Sequence, residues 1–583
     1  MLAPEIEIDR YRHRTTKVVA IVVGLLLAAL AGRLLHINTA LSPKLTAMMK
    51  SQQQSRSVLK ARRGTVFDVR GRVLAGSREL PSVFVDPARI EDVTETAATA
   101  AAILHLDPGE VEDRIRHSAA PRFCWLKRRV PLAEADALQR TTVPGIGLID
   151  ESVRHYPQET SAGQVLGFVG EDGQGLEGIE LAHDAHLRGT DGHVWTVRNV
   201  RRQSIRASED QDRRAADPID GGHVVLTLDS VIQGFVEQQL ADRVQEFQAE
   251  SAVGVAMDPR TGDVLAMASY PPFAPAEYDR YTPAMRRNRV LTDMVEPGST
   301  FKPFVASGAL TQGVVSRTEK IFCHNGLYVI GRRRLHDASP HGDMTFAQIV
   351  AKSSNIGMAI LGDRMGNEAM HDIVRRFGFG EPTGIDFPGE SPGSVLPLSM
   401  WTSYSTSSVP MGQEIAVTPL QLIAAFCAIL NDGVLLRPRV VRALLSPEGK
   451  VLQEFAGPDP VRRVLPTETA RYFSQEVLVA VVNDGSGRRA ALPAYQVVGK
   501  TGTAQLPYED RRGYEPDAYV ASFVGAAPAE DPRVAVLVMI RKPNRSMGYY
   551  GGVVSAPVVR EILAQTLAYL QVPPRTESAA PGT

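Results

Sequence analysis

The longest apolar stretch comes first along the chain: Val18 to Gly32 is apolar without a break, and Leu34 and Leu35 carry the run across Arg33. Its length lies near the lower limit for a bilayer-crossing helix, with Arg33 placed to snorkel to the headgroups at the far end. Arg10, Arg12, Arg14 and Lys17 precede it. The positive-inside rule therefore leaves residues 1–17 in the cytoplasm, makes 18–35 a membrane anchor and places the rest outside. The rival reading is a cleaved leader, since Ala29-Leu30-Ala31 suits a small-residue cleavage site.

Behind the anchor, residues 36–60 are polar with scattered Leu and Met, the pattern of a helical stalk. From 61 to about 218 the apolar runs are short and predict brief strands and helices, including an Ala-rich helix at Thr94–Leu104 capped downstream by Asp107-Pro108. SEDQDRRAADPIDGG, ending at Gly222, is charged and poor in apolar residues, which marks a linker. Next, HVVLTLDSVIQGFVEQQL predicts a strand and a long helix, and AVGVAMDPRTGDVLAMASYP predicts two strands joined at a Thr-Gly-Asp turn. Helical patterns dominate from Thr300 to about Leu430. VASFVGAAP and RVAVLVMIRKP return to strands, and a last helix covers about Ala556 to Leu570. Strands at both ends of a helical middle imply an α+β domain, over 219–572, whose sheet joins the two ends of the segment. Residues 573–583 read as a disordered tail.

Composition narrows this only slightly. With 583 residues, 44% hydrophobic and 22% charged, the chain can bury more than one core. A net charge of −1 gives no electrostatic reason to bind nucleic acid. Cys124, Cys323 and Cys427 are odd in number and far apart, so they form no disulfide framework.

The chemistry lies in three short motifs: Ser299-Thr300-Phe301-Lys302, Ser353-Ser354-Asn355 and Lys500-Thr501-Gly502-Thr503. An SxxK pattern alone arises about twice by chance in a chain this long, and Ser57-Val58-Leu59-Lys60 is such a copy, in a polar stretch with no turn before it. Ser299 is placed differently. Pro297-Gly298 breaks the chain before it and Phe301, Phe304, Val305 and Leu310 follow, which predicts a buried helix starting at the serine. One helical turn brings Lys302 onto the face of Ser299. A serine hydroxyl needs a base, and lysine serves as one when burial and neighbouring positive charge lower its pKa. Lys500 is the candidate for that second charge. Ser353 is placed to relay a proton between the lysines, while Asn355 holds Lys302 and donates to a bound carbonyl. Tyr495-Gln-Val-Val leads the third motif in as a strand. There Gly502 admits a substrate backbone, the Thr501 and Thr503 hydroxyls suit a carboxylate, and the Thr503 N–H completes an oxyanion hole with an N–H at the helix start.

Together the motifs resemble the signature set of penicillin-recognising serine enzymes. The longer segments MVEPGSTFKPF, AKSSNIGMAILG, MGQEIAVTPLQLIAAF, VVGKTGTAQ and YGGVVSAPVV resemble the class B penicillin-binding proteins, and RRGTVFDVRGRVLA and LGFVGEDGQGLEGIE resemble the pedestal of that class. The resemblance implies a single transmembrane helix, an elongated mixed α/β pedestal (dimerisation) domain over 61–218, and a transpeptidase domain with an antiparallel sheet flanked by helices. It implies a D,D-transpeptidase that crosslinks peptidoglycan stem peptides through an ester on Ser299, is acylated by β-lactams, and uses neither metal nor cofactor because the acyl bond stores the energy of the cut peptide. It also implies retention of the anchor in the plasma membrane and partnership with a SEDS-family glycosyltransferase and divisome proteins. Asn355 and the LGFVGEDGQGLEGIE segment look more like the division branch, or its sporulation relative, than the elongation branch. The chain departs from the pattern at Ala274 and Ala276, where Asp and Asn are common, and at Glu414, where Gly is usual.

Other readings carry less. Gly173-Gln-Gly175-Leu-Glu-Gly178 matches a dinucleotide fingerprint, but no clear βαβ unit surrounds it. Cys323, His324, His336 and His341 imitate zinc-ligand spacing. A Ser299–His336–Asp337 triad leaves both lysines without a role. Arg332–Arg334 reads as a solvated turn and Cys427 as core. Among enzymes, a β-lactamase or β-lactam sensor shares the motifs, though a β-lactamase also needs a deacylating base. A non-catalytic divisome scaffold has no reason to keep all three.

Overall fold

The computed structural model describes residues 4–41, 54–141, 143–198, 204–205, 216–508, 510–511 and 513–575. Two compact units emerge, residues 1–61 with 190–219 and residues 62–189 with 220–583. In the first, a 33-residue helix, Pro4–His36, reaches about 50 Å at 1.5 Å per residue. It extends through the basic flank, it is long and apolar enough to cross a membrane, and its side chains from Arg12 onward are exposed. The expected helical stalk is only partly found. Ile37–Leu41 stays helical, but Gln54–Leu59 is a strand paired with Gly192–Arg198. That partner lies far away in sequence, so no local pattern announces it. Residues 42–53, most of the expected linker (208–215) and the tail from 576 lie outside the described residues.

The second unit contains two large sheets. Seven strands make the first, in which Val66–Phe67 pairs parallel with His223–Leu226, and His223–Leu226 pairs in turn with Val441–Leu445. Strands from three distant parts of the sequence are thereby stitched together. The Ala-rich helix forms at Val93–Leu104 with Asp92 as N-cap. It ends at His105 in the left-handed conformation, and Asp107 caps the next helix instead.

The second sheet runs Val264–Tyr270, Ser251–Met257, Val534–Arg541, Tyr514–Ala527, Val498–Pro507, every neighbour antiparallel. Ser251–Met257 is buried along its whole length because both faces are covered, which is why its sequence is apolar throughout rather than alternating. Ala252 and Ala256 face a core with the helices Ser230–Glu246 and Ala556–Tyr569, while Val253, Val255 and Met257 face the core of Pro419–Leu430. That last helix is buried almost throughout and starts at a reciprocal Thr418–Gln421 capping box with Pro419 in its first turn. The fold is thus α+β, an antiparallel sheet flanked by helices. Val498–Pro507, which carries the third motif, lies at the sheet's edge.

The helical middle is less uniform than its pattern suggests. Three small ladders interrupt it: Lys320–Phe322 with Asp343–Thr345, the hairpin Leu327–Ile330 with Arg333–His336, and Ser394–Val395 with Ile415–Ala416. The hairpin turns at Gly331, whose φ of 57° glycine adopts without steric cost.

Candidate active site

Pro297 and Gly298, the latter at φ 54°, turn the chain into a short 3₁₀ segment, Gly298–Phe301, and the α-helix proper begins only at Lys302. Ser299 therefore sits on the tight turn before the helix. Thr300 locks that turn by donating its hydroxyl to Pro297 O at 2.6 Å. Phe301 and Phe304 anchor it from beneath, packing tilted or edge-on, with ring centroids 4.9–5.4 Å apart, against each other and against Phe377 and Phe379. Ser299 is half-buried, whereas Lys302 is fully buried.

Lys302 Nζ donates to Ser353 O (2.6 Å), Asn355 Oδ1 (2.8 Å) and Ser353 Oγ (3.2 Å). From the opposite side Lys500 Nζ, also fully buried, donates to the same Ser353 Oγ at 2.9 Å and to Thr501 O at 3.0 Å. The Ser353 hydroxyl thus lies between the two lysine nitrogens, within hydrogen-bond distance of both. Ser353 itself holds a φ of 60°, a conformation that costs a non-glycine residue about 1–2 kcal/mol and persists only where the surroundings impose it.

Burial pushes Lys302 down to about 7, partly offset by the negative charge of Asp337. Lys500 is held well below its ordinary value, by burial first and by the charge of Lys302 second. Desolvation is the leading cause for both lysines, and the second positive charge adds to it at Lys500.

The Asn355 amide is split between two tasks. Its Oδ1 faces Lys302, and Nδ2 donates to His336 O at 2.9 Å, leaving its second N–H for a ligand carbonyl. Ser354 caps the helix Asn355–Arg376 by accepting from Gly357 N at 2.9 Å. Asp337, the acid of the rival triad, does not address a histidine ring. Its carboxylate accepts from Ser354 Oγ and from the backbone N–H groups of Asn355 and Ile356, and His336 is exposed. Cys323 is buried beneath Ser354, and no group of three or more metal-binding side chains gathers among the described residues.

In the third motif the register sets Lys500 opposite Val524 and Gly502 opposite Ser522. A Cβ at Gly502 would lie 2.3 Å from Ser522 Oγ, 2.8 Å from Thr300 Cγ2 and 3.1 Å from Pro297 O. The glycine thus lets the strand lie against the nucleophile's turn, a closer constraint than the substrate approach expected of it. Thr503 Oγ1 accepts from Gly551 N at 3.1 Å. Thr501 Oγ1 lies 2.7 Å from Ser486 Oγ, a partner that no local spacing reveals because it comes from a separate turn. A cavity of about 360 Å³ runs along Thr501 and Thr503, lined also by Ser486, Arg488, Arg489 and Tyr550. A wider one of about 570 Å³ lies among Arg333, Tyr404, Glu414 and Tyr514.

The sequence departures have local readings. Glu414 holds φ 63°, which accounts for a usual glycine there. Its N–H donates to Glu296 Oε1 at 3.1 Å, and Tyr514 OH donates to Glu296 Oε2 at 2.9 Å. Ala274 occupies the N-cap of Pro275–Arg280 and cannot cap it with a side chain, as aspartate would.

The chain also matches known proteins and protein families. The family described as penicillin binding protein transpeptidase domain matches residues 252–564, and the penicillin-binding protein dimerisation domain matches 58–226. The chain is 31% identical to Stage V sporulation protein D of Bacillus subtilis, over 93% of this chain and 84% of that one. It is 31% identical to peptidoglycan D,D-transpeptidase FtsI of Escherichia coli, over 95% and 92%. A crystal structure of penicillin binding protein 3 from Mycobacterium tuberculosis, complexed with aztreonam, superposes with a TM-score of 0.68 at 30% identity, covering 90% of this chain and all of that one.

Proposed function

The chain belongs to the class B penicillin-binding proteins of the division type, and from that premise we propose that it crosslinks peptidoglycan during septal wall synthesis as a serine D,D-transpeptidase with Ser299 as nucleophile. The observation that carries the assignment is the convergence of two fully buried lysines on the Ser353 hydroxyl beside the Ser299 turn.

Neutral Lys302 takes the Ser299 proton as Oγ attacks the carbonyl between the two terminal D-alanines of a stem peptide. The N–H groups of Ser299 and Thr503 receive the oxyanion. As the intermediate collapses, the proton passes through Ser353, backed by Lys500, to the leaving nitrogen, and D-alanine departs. Thr501 and Thr503 hold its carboxylate before release. The amine of a second stem then attacks the ester, gives its proton back along the same path and frees Ser299. A donor peptide laid along Val498–Pro507 has an open sheet edge to pair with. A β-lactam enters at the first step and stays as the ester.

The exposed apolar helix and its basic flank support a single-pass anchor in the plasma membrane, with the catalytic part on the outer side. We take the pedestal as 61–218 and the transpeptidase domain as 219–572, which the matched ranges support. A SEDS-family glycosyltransferase and divisome proteins are the partners proposed by resemblance.

The test is intact-mass analysis of the full-length protein in detergent with a fluorescent penicillin, beside Ser299→Ala. A stable adduct on the wild type alone supports the assignment. Rapid penicillin hydrolysis supports a β-lactamase instead, and an adduct that survives in Ser299→Ala refutes the nucleophile.

A further inference from the structure

The hairpin Leu327–His336 ends against the second motif. Asp337 N closes its base on Gly326 O at 3.3 Å, His336 O takes the Asn355 amide at 2.9 Å, and the half-buried Asp337 carboxylate lies over the start of the helix Asn355–Arg376. There it accepts from Ser354 Oγ at 2.6 Å, Asn355 N at 2.5 Å and Ile356 N at 3.1 Å. On its other side the hairpin is held by Arg333, which donates to Ser407 and Ser408 and to Gln413 Oε1. Gln413 adjoins Gly412, whose carbonyl accepts from Gly298 N beside the nucleophile. One hairpin therefore ties the nucleophile's turn to the residues that hold its base.

We propose that Asp337 is a positioning residue for acyl transfer: its carboxylate pins the Ser353–Asn355 turn so that Ser353 O and Asn355 Oδ1 aim Lys302 at Ser299. The assignment deepens the function proposed above and rests on Ser299 and Lys302 being nucleophile and base. The anion does two separable things. Its three accepted hydrogen bonds hold a turn whose first residue is in the left-handed conformation, and its charge opposes the burial that lowers Lys302. Among the described residues, Asp337 at the hairpin's end is the charge that raises Lys302, and the charge of Lys302 in turn lowers Lys500 on the edge strand. The Cys323 thiol, which contacts Ser354 Oγ, faces the same carboxylate.

The experiment measures the acylation rate constant of the full-length protein against pH, with a penicillin adduct on Ser299 verified by mass. Asp337→Asn keeps the shape and loses the charge. Its plateau falls about tenfold or more as the turn loosens, and its midpoint moves below the wild-type value near pH 7, since Lys302 has lost its nearest anion. Asp337→Glu restores the midpoint but only part of the plateau. A lost plateau with an unmoved midpoint reduces Asp337 to a structural brace and overturns the proposal, as does a profile that matches wild type. Should Asp337→Asn not fold, Ser354→Ala decides: a plateau reduced several-fold at an unchanged midpoint sustains the proposal, and an unchanged plateau overturns it. A wild type that takes no adduct on Ser299 sinks the parent reading, whereas an acylated wild type with an indistinguishable Asn variant sinks this assignment alone.

Discussion

The pH dependence of acylation is the sharpest consequence of the buried lysine pair. Lys302 must be neutral to accept the Ser299 proton, and burial brings it from an ordinary 10.5 down to about 7. The neutral fraction is then about one-tenth at pH 6, half at pH 7 and nine-tenths at pH 8, so the rate rises about tenfold from pH 6 to pH 8 and levels off. A lysine of ordinary basicity behaves differently. Its neutral fraction grows about tenfold per pH unit throughout, giving about 100-fold over the same interval with no plateau below pH 10. Stopped-flow acylation by a penicillin whose own charge is constant from pH 6 to pH 9 separates the two. A slope that continues unbent through pH 9 refutes a depressed Lys302. A flat profile refutes Lys302 as the base altogether.

The same depression reaches stability, with a definite sign. The unfolded chain binds the Lys302 proton below 10.5 and the folded chain only below about 7, so the folded state loses stability as pH falls across that window. Lys302→Met escapes this loss, and its unfolding midpoint relative to wild type should improve by about 2–3 kcal/mol between pH 9 and pH 6. An equal gap at both pH values contradicts the linkage. Gly502→Ala introduces a Cβ 2.8 Å from Thr300 Cγ2 and 2.3 Å from Ser522 Oγ. Pushing the strand from the nucleophile's turn by even about 1 Å should slow acylation about 100-fold, while near-normal acylation shows that the turn absorbs the methyl. In the pedestal region Arg63 lies in a buried cluster, 2.6 Å from both Glu180 and Asp184, with Arg154 on the other Glu180 oxygen. Arg63→Met breaks that cluster and should cost about 3–5 kcal/mol in chemical denaturation; a loss under about 1 kcal/mol shows that Arg154 suffices.

How much of this was legible in advance varies from element to element, for physical reasons. The apolar helix from Val18, the buried Pro419–Leu430 helix with its capping box, and the strands that close the central sheet are local patterns, and sequence alone determined them because periodicity and caps act within a few residues. The chemical identities of the site were equally plain, since Ser299, Lys302, Ser353, Asn355, Lys500, Thr501 and Thr503 stand in short motifs. Tertiary structure decided what those groups become. Desolvation depends on what packs around an ammonium, so the depressed basicity of Lys302 and Lys500 exists only once helix, sheet and the Ser353 turn enclose them. Asp337 stands 17 to 19 residues from the groups it binds, and Ser486 stands 15 from Thr501, separations with no period to betray them. The strand Gln54–Leu59 departs from its local helical pattern for the same reason, its partner lying beyond residue 190. Local chain chemistry names the groups, and long-range closure of the chain fixes their distances, their burial and hence their reactivity.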